Sequence, residues 1–482
     1  MSSVSRIKMM KLSKLLKNTW QSKRSASAFV AACTSATLGL PVQAADLLNV
    51  VDVALQRNLS LSSAETNLAA TEYELDINRG NFLPSLNVSA NTNWNDGSTH
   101  KYSGSNDRNS YNNHGVNVTL TQSLFDLGDI YSYGSTQTDI DIEALRTEQI
   151  RQQIIREAAT AYFEYLKNQA QIRATQAELD SSEARLALIS RNIELGNVAG
   201  TERYEVLAQK ERTADSLRTL RKDQRIILND LANIIQQPLK PDFDLQSSIQ
   251  FEAISSARQN ELNSIMYTSD LSLLIAKQEV NKSRQILRET GSTFAPSLKG
   301  SIGYTYDNTN DASAKIYPDK GVTEETVYTL TLDVPILNGG RDYYRYQQNK
   351  VDIDRTEIDL QNSKNLSQQQ FEEFIYNIND FSASLTSLTA IIQANYASYI
   401  GIQKAHKLGT RTITDLLSAE SKLYGSIRDY ENARYDYVIN LIQLNERIGN
   451  LNMATVGKIA EQMSPVGDDS SQSPIPLHLM VQ

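Results

Sequence analysis

Phe82-Leu83-Pro84-Ser85-Leu86 returns 212 residues later as Phe294-Ala295-Pro296-Ser297-Leu298. At the same spacing Ser123-Leu124-Phe125-Asp126-Leu127-Gly128 is echoed by Pro335-Ile336-Leu337-Asn338-Gly339-Gly340. Leu195-Gly196 is echoed by Leu408-Gly409, and Glu202 by Asp415, at 213. Each match is weak alone, but three in order at a nearly constant spacing mark an internal duplication. The unit, about 210 residues, is far longer than a solenoid repeat. The chain therefore reads as one architectural half written twice, residues 45–250 and 251–455, between an N-terminal segment, 1–44, and a disordered C-terminal tail, 456–482.

Proline placement shows what each half contains. None occurs between Pro84 and Pro238, or between Pro335 and Pro465, and proline breaks helix interiors. These intervals are rich in Ala, Leu, Gln, Glu, Lys and Arg, all good helix formers. Within the first, Ile142, Leu145, Ile150, Ile154, Ala158, Ala161, Tyr165 and Leu166 recur at helical spacing. The pattern predicts long helices over Asp129–Leu195 and Arg341–Leu408, each roughly 100 Å at ~1.5 Å per residue. Return helices are expected from Thr201 to about Ile235 and from Thr412 to about Gly449. Shorter single helices are expected over Leu48–Asn78 and Asn260–Glu289.

Between short and long helices the period switches to two. Leu86, Val88, Ala90 and Trp94 alternate with Asn87, Ser89, Asn91 and Asn93, and Val116, Val118 and Leu120 with Asn117, Thr119 and Thr121. Leu298, Ile302, Tyr304 and Tyr306 alternate with Lys299, Ser301, Gly303 and Thr305; Tyr328, Leu330, Leu332 and Val334 alternate with Val327, Thr329, Thr331 and Asp333. Four strands of about ten residues, apolar on one face and small-polar on the other, fit either a membrane barrel or a half-buried sheet in a soluble domain. If they span a membrane, several chains must share one barrel, since an open edge cannot face lipid and about eight strands is the minimum. A polar lumen carrying cargo favours more than eight; twelve from three chains and sixteen from four both remain open at this point.

The N-terminus reads as an address. Arg6, Lys8, Lys11, Lys14, Lys17, Lys23 and Arg24 precede any acidic residue, an apolar run from Ala26 to Leu40 follows, and Val42-Gln43-Ala44 supplies a small-residue cleavage site. Residues 1–44 are expected to be a signal peptide; the rival reading makes Cys33, after Val30-Ala31-Ala32, a lipidated first residue. Removing seven of the 47 basic residues leaves 40 against 56 acidic ones, a net charge of about −16, which argues against nucleic acid as a partner. One cysteine and four scattered histidines (His100, His114, His406, His478) offer no metal site, and no cofactor is expected. No HExxH, GxSxG or phosphate-loop pattern is present, so an enzyme is not expected.

Three stretches resemble the TolC family of outer-membrane efflux proteins, over about residues 46–455. Val334-Pro335-Ile336-Leu337-Asn338-Gly339-Gly340-Arg341 is similar to its strand-to-helix junction. Leu408-Gly409-Thr410-Arg411-Thr412-Ile413-Thr414-Asp415-Leu416-Leu417 resembles its second inter-helix turn, and Asn432-Ala433-Arg434-Tyr435-Asp436-Tyr437-Val438-Ile439-Asn440 its last helix. The resemblance implies a mixed α and β fold: a homotrimer with a shared twelve-stranded barrel in outer-membrane lipid, continued by an α-helical barrel across the periplasm. It implies extracellular loops at Asp96–His114 and Asp307–Glu325, and periplasmic tips at Gly196 and Gly409. It also implies an iris-like gate at those tips. Thr201 and Glu202 match the first-half pair, with Glu202 in place of an aspartate; Arg411 matches a linking arginine and Asp415 a ring-forming aspartate. Ser418 stands where a second ring aspartate is often found, and His406 where a linking tyrosine is often found. The gate would therefore be less acidic and less tightly latched.

Three carboxylates around a symmetry axis would disfavour anions and attract cations; the plainer reading of Asp415 is a residue starting its helix. Arg411 is equally a solvated tip charge. At a constriction His406 would make opening pH-sensitive near ~6–7; otherwise it is an exposed helix residue. Trp94, Tyr304, Tyr306 and Tyr328 suit an interfacial aromatic girdle or ordinary strands, and Tyr424, Tyr430, Tyr435 and Tyr437 suit helix packing. The expected function is passive export from an inner-membrane ABC or proton-driven pump through a periplasmic membrane-fusion adaptor. Both type I protein secretion and multidrug efflux use such ducts. The alternative is a soluble periplasmic coiled-coil protein.

Overall fold

The computed structural model describes residues 44–100, 106–195, 199–246, 249–311 and 321–466; the expected signal peptide, up to Gln43, lies outside the described residues. Two long helices carry the fold. α3 (Leu127–Glu194) runs 68 residues and α7 (Arg341–Lys407) 67, each about 100 Å. The Asp126 carboxylate accepts from the Gly128 amide at 2.8 Å to open α3. α7 opens instead through Gly339 and Gly340, at φ of 58° and 76°, where a side chain would be strained. α4 (Gly200–Ile235) and α8 (Ile413–Arg447) return along them.

Where single short helices were expected, each half has two. α1 (Leu47–Arg57) and α2 (Leu59–Gly80) break at Asn58; α5 (Ser256–Ser269) and α6 (Leu271–Ser292) break at Asp270, 212 residues on. In both, the break residue is extended and its side chain accepts from the amide two residues ahead, at 2.9 Å. A local cap outcompetes helix continuation here. Each break also docks the end of a return helix: Asn58 Nδ2 donates to Ile234 O, and Gly449, at φ 67°, passes so close to Ser269 O that a side chain could not fit.

β2 (Ser85–His100), β3 (Asn106–Phe125), β6 (Ser297–Asp311) and β7 (Gly321–Asp333) form one antiparallel sheet in that order. They run 13 to 20 residues, longer than the ten expected. Most of the Asp96–His114 and Asp307–Glu325 stretches expected as loops is therefore strand, because the two hairpins keep pairing through Asn- and Asp-rich sequence. Within these two stretches, 101–105 and 312–320 lie outside the described residues. Leu86, Val88, Trp94, Tyr328, Leu330 and Leu332 are exposed on one face; Asn87, Asn91, Asn117, Thr119, Ser301 and Thr305 share the other.

The helical core is built mainly around α3 and α8. Ile154, Ala158, Tyr162, Phe163 and Leu166 of α3 pack with α1, the ends of α4 and α8, and α9 (Met453–Ala460). The expected tail is corrected here. Residues 456–466 are ordered, with Val456, Ile459 and Met463 buried, and β8 (Met463–Pro465) pairs with β5 (Phe243–Leu245). The sequence turns proline-rich only after this strand, and the apolar 456–463 stretch has a core to fill. β1 (Ala44–Ala45) and β4 (Lys240–Pro241) complete the pairings as a short parallel bridge. Near β5 the guanidinium of Arg434, 2% exposed, donates to Glu431 and Leu245 O, and Tyr435 OH donates to Asp244 at 2.7 Å. Tyr424, Tyr430 and Tyr435 are buried, as packing residues should be.

Candidate functional site

The free ends of the helix pairs are built by local rules. α7 stops in a Schellman turn: Gly409 N donates to His406 O, Thr410 N to Ala405 O, and Gly409 takes φ 75°. Lys404, His406 and Lys407 in the last turn suit the negative end of the helix dipole. His406 Nδ1 donates to Arg411 O at 3.0 Å and so braces the turn. α8 then opens with a capping box, in which Thr412 Oγ1 accepts from Asp415 N and Asp415 Oδ2 from Thr412 N, both at 3.1 Å. These bonds, with a smaller contribution from Arg411, hold the Asp415 carboxyl below the usual carboxylate range. Arg411 Nη1 stands 3.9 Å from Asp415 Oδ2, with both side chains largely in solvent.

His406, Arg411 and Asp415 therefore form one cluster at the second tip. Thr201 and Glu202 start α4 at the first tip, where Glu202 N donates to Ala199 O. Among the described residues no bond within the chain joins Thr201 or Glu202 to Arg411. The bond that does join the two tips was not anticipated: Thr414 Oγ1 donates to Glu205 Oε2 at 2.6 Å.

A second cluster, also missed, lies about two turns along α8 from the tip. Glu420 Oε2 pairs with Arg185 at 2.9 Å, the two side chains 4% and 10% exposed. Ser181 donates to the other Glu420 oxygen, and Arg185 also donates to Tyr399 OH at 3.3 Å. Glu178 Oε2 pairs with Arg428 at 2.7 Å, and Gln209 donates to Glu178 Oε1. α3, α4, α7 and α8 are thus tied by buried charge. Burial pushes the Glu420 carboxyl up, against the pull of Arg185. A sequence signal existed: Glu420 falls on the apolar spacing of Ile413, Leu416, Leu417, Leu423, Tyr424 and Ile427, all buried.

Among the described residues no group of His, Cys, Asp or Glu could hold a metal, and no helix is long and apolar enough to cross a membrane. Two side-chain-lined grooves are open and shallow, the larger of about 330 Å³ beside Gln149, Arg156, Glu446 and Arg447.

Known proteins carry the same fold. The chain is 24% identical over 423 residues to outer membrane protein TolC of Escherichia coli (strain K12), covering 85% of this chain and 83% of that protein. It is 22% identical over 354 residues to the alkaline protease secretion protein AprF of Pseudomonas aeruginosa, covering 73% and 72%. The solved outer membrane protein VceC of Vibrio cholerae superposes with a TM-score of 0.70 at 14% identity, over 84% of this chain and 96% of that one. The fold is that of these channels: four strands of a shared barrel, continued by long helices. The protein belongs to the outer membrane and extends into the periplasm, and its relatives are efflux and secretion channels rather than enzymes. The profile described as outer membrane efflux protein matches twice, at residues 50–236 and 266–450, and with the duplicated strand–helix architecture on the page the chain belongs to that family.

Proposed function

We propose that three copies form a passive duct through which cargo handed over by an inner-membrane pump and a periplasmic adaptor leaves the cell, with a gate at the helix tips. One observation carries the reading. A four-stranded sheet, apolar outside and polar inside, ends in two unpaired edges and continues directly into helices of 67 and 68 residues. Unpaired backbone cannot face lipid, so neighbouring copies must complete the barrel. Three copies give twelve strands, wide enough for a polar lumen. Without a nucleotide-binding loop, energy must come from the partner.

The second tip supplies the gate. Asp415 is held ionised by its own capping box and is exposed, so a threefold ring of it concentrates negative charge at the narrow end. Arg411, exposed and held only by its 3.9 Å pairing with Asp415, can swing to reach the Thr201–Glu202 tip of a neighbour. Protein cargo is favoured over small molecules by the likeness to a protease secretion protein. The test is single-channel conductance of detergent-purified protein in a planar bilayer. Cation-selective steps whose selectivity falls in Asp415→Ala support the reading; unchanged selectivity removes Asp415 from the constriction, and a buffer-soluble monomer ends the duct.

A further inference from the structure

The joint between the two halves inside one chain predicts, residue by residue, the joint between chains. Adding 212 to both members of every β2–β3 pair from Ser85 to Gly97 gives a β6–β7 pair: Ser85↔Thr121 becomes Ser297↔Asp333, and Trp94↔Asn112 becomes Tyr306↔Glu324, both as observed. The helix breaks at Asn58 and Asp270, with identical cap bonds, obey the same step. The structure is therefore built from one hairpin-and-helix unit applied twice, and β3 against β6 is the joint between units. Closing such a sheet into a ring requires the same strand stagger at every joint. The β3–β6 pairing, carried forward by 212 on β3 and back by 212 on β6, then fixes how β7 meets β2 of the next copy.

We infer that β7 pairs with β2 of the partner subunit in this register. Val116↔Tyr306 and Thr119↔Gly303 become Tyr328 opposite Trp94 of the partner subunit, and Thr331 opposite Asn91 of the partner subunit. The inference rests on the shared barrel proposed above and adds its register. It places the two most exposed strand aromatics, Trp94 at 74% and Tyr328 at 77%, on one row of the apolar face, where a cross-strand aromatic pair is favourable. The pairing stays antiparallel, and Thr331 and Asn91 both fall on the polar face.

The helices supply independent support. Inside the chain, α3 meets α6 through Asp139–Lys282 at 2.6 Å and Arg146–Glu279 at 2.8 Å. The matching positions on α7 are Val351 and Ile358, exposed and apolar, continuing a seven-residue row from Tyr344. On α2 the lysine and glutamate become Ala70 and Asn67, while Gln285 and Glu289 become Tyr73 and Ile77, about 70% exposed. The ionic joint inside the chain thus gives way, at and beside the matching positions, to an exposed apolar row on α7 and to the exposed Tyr73 and Ile77 on α2, surfaces that a second copy would cover. Exposed apolar rows of this kind mark interaction surfaces.

Cysteine pairing tests the register, because directly opposed strand residues lie within disulfide reach whereas a two-residue slip puts them beyond it. Cys33 is the only cysteine, so Cys33→Ser gives a clean background. Into it go Asn91→Cys with Thr331→Cys, and the slipped pairs Ser89→Cys or Asn93→Cys with Thr331→Cys. Each is oxidised in the membrane and run on a non-reducing denaturing gel, with native mass measured in detergent. The expected result is loss of most of the monomer band to a covalently closed trimer for 91/331 alone, with each single-cysteine variant remaining monomeric on the gel. Cross-linking of a slipped pair instead, or of none in a protein whose native mass is three chains, overturns the register while sparing the shared barrel. A native mass of one chain overturns both.

Discussion

Asp415 and Glu420 lie five residues apart on α8 and each faces an arginine, yet they do opposite things. Asp415 is in solvent, 3.9 Å from Arg411, and its carboxyl is pulled down by backbone and hydroxyl bonds. Glu420 is buried, 2.9 Å from Arg185, and its carboxyl is pushed up by lost hydration. An exposed pair is screened and holds little together. A buried pair is expensive to form but more expensive to break, because either partner alone is an uncompensated charge. The tip is thus free to rearrange while the layer just behind it resists. One helix thus carries, five residues apart, a carboxylate that can rearrange and one that resists.

Breaking the buried side has the largest expected effect. Arg185→Ala should cost about 3–5 kcal/mol, read as a fall in thermal midpoint by far-UV circular dichroism in detergent. Without Arg185 the folded-state Glu420 pKa rises still further above its unfolded value. Stability from such a carboxyl is present at low pH and lost as pH rises through the folded pKa. The deficit should therefore widen as pH rises above about 4, and a pH-independent deficit would count against a buried anion. Pairing the change with Glu420→Leu should recover most of it.

A middle-sized effect belongs to the cap. Thr412→Ala removes the hydroxyl that accepts from Asp415 N and should cost about 1 kcal/mol in the same melt. It also frees Asp415 from one bond that lowers its pKa, so the carboxyl titrates at higher pH and any selectivity it confers fades at higher pH than in wild type.

Smallest of all should be Arg411→Gln, with a melting temperature indistinguishable from wild type. In the bilayer it should shift selectivity further towards cations, opposite to Asp415→Ala. A large loss of stability instead would show that the exposed tip is structural, and the contrast between the two sites would collapse.

Much of this was readable in one dimension. The 212-residue echo, the proline-free intervals and the switch between periods of 3.6 and two gave both halves, the long helices to within two residues, and the four strands. These follow from local chemistry: proline and glycine punctuate, and alternation exposes one face. The helix end at Leu408 and the restart at Thr412 were legible for the same reason; the capping box between Thr412 and Asp415 was not anticipated. The breaks at Asn58 and Asp270 were not, because Asn and Asp tolerate either a helix or a cap, and docking of the return helices decides between them. Strand length was underestimated because Asn and Asp are locally disfavoured in strands, whereas a partner strand overrides that preference. The C-terminal stretch 456–465 was misjudged because its order comes from a core assembled by α1, α3 and α8.

The sequence by itself determined the duplicated plan and the elements, since these rest on contacts between near neighbours. Only the tertiary structure decided that Glu420 meets Arg185 across 235 positions, that Thr414 rather than Arg411 bridges the tips within a chain, and which strand edges stay open. Those outcomes depend on which helix faces and strand registers pack together, and burial then sets the charge of each group it encloses.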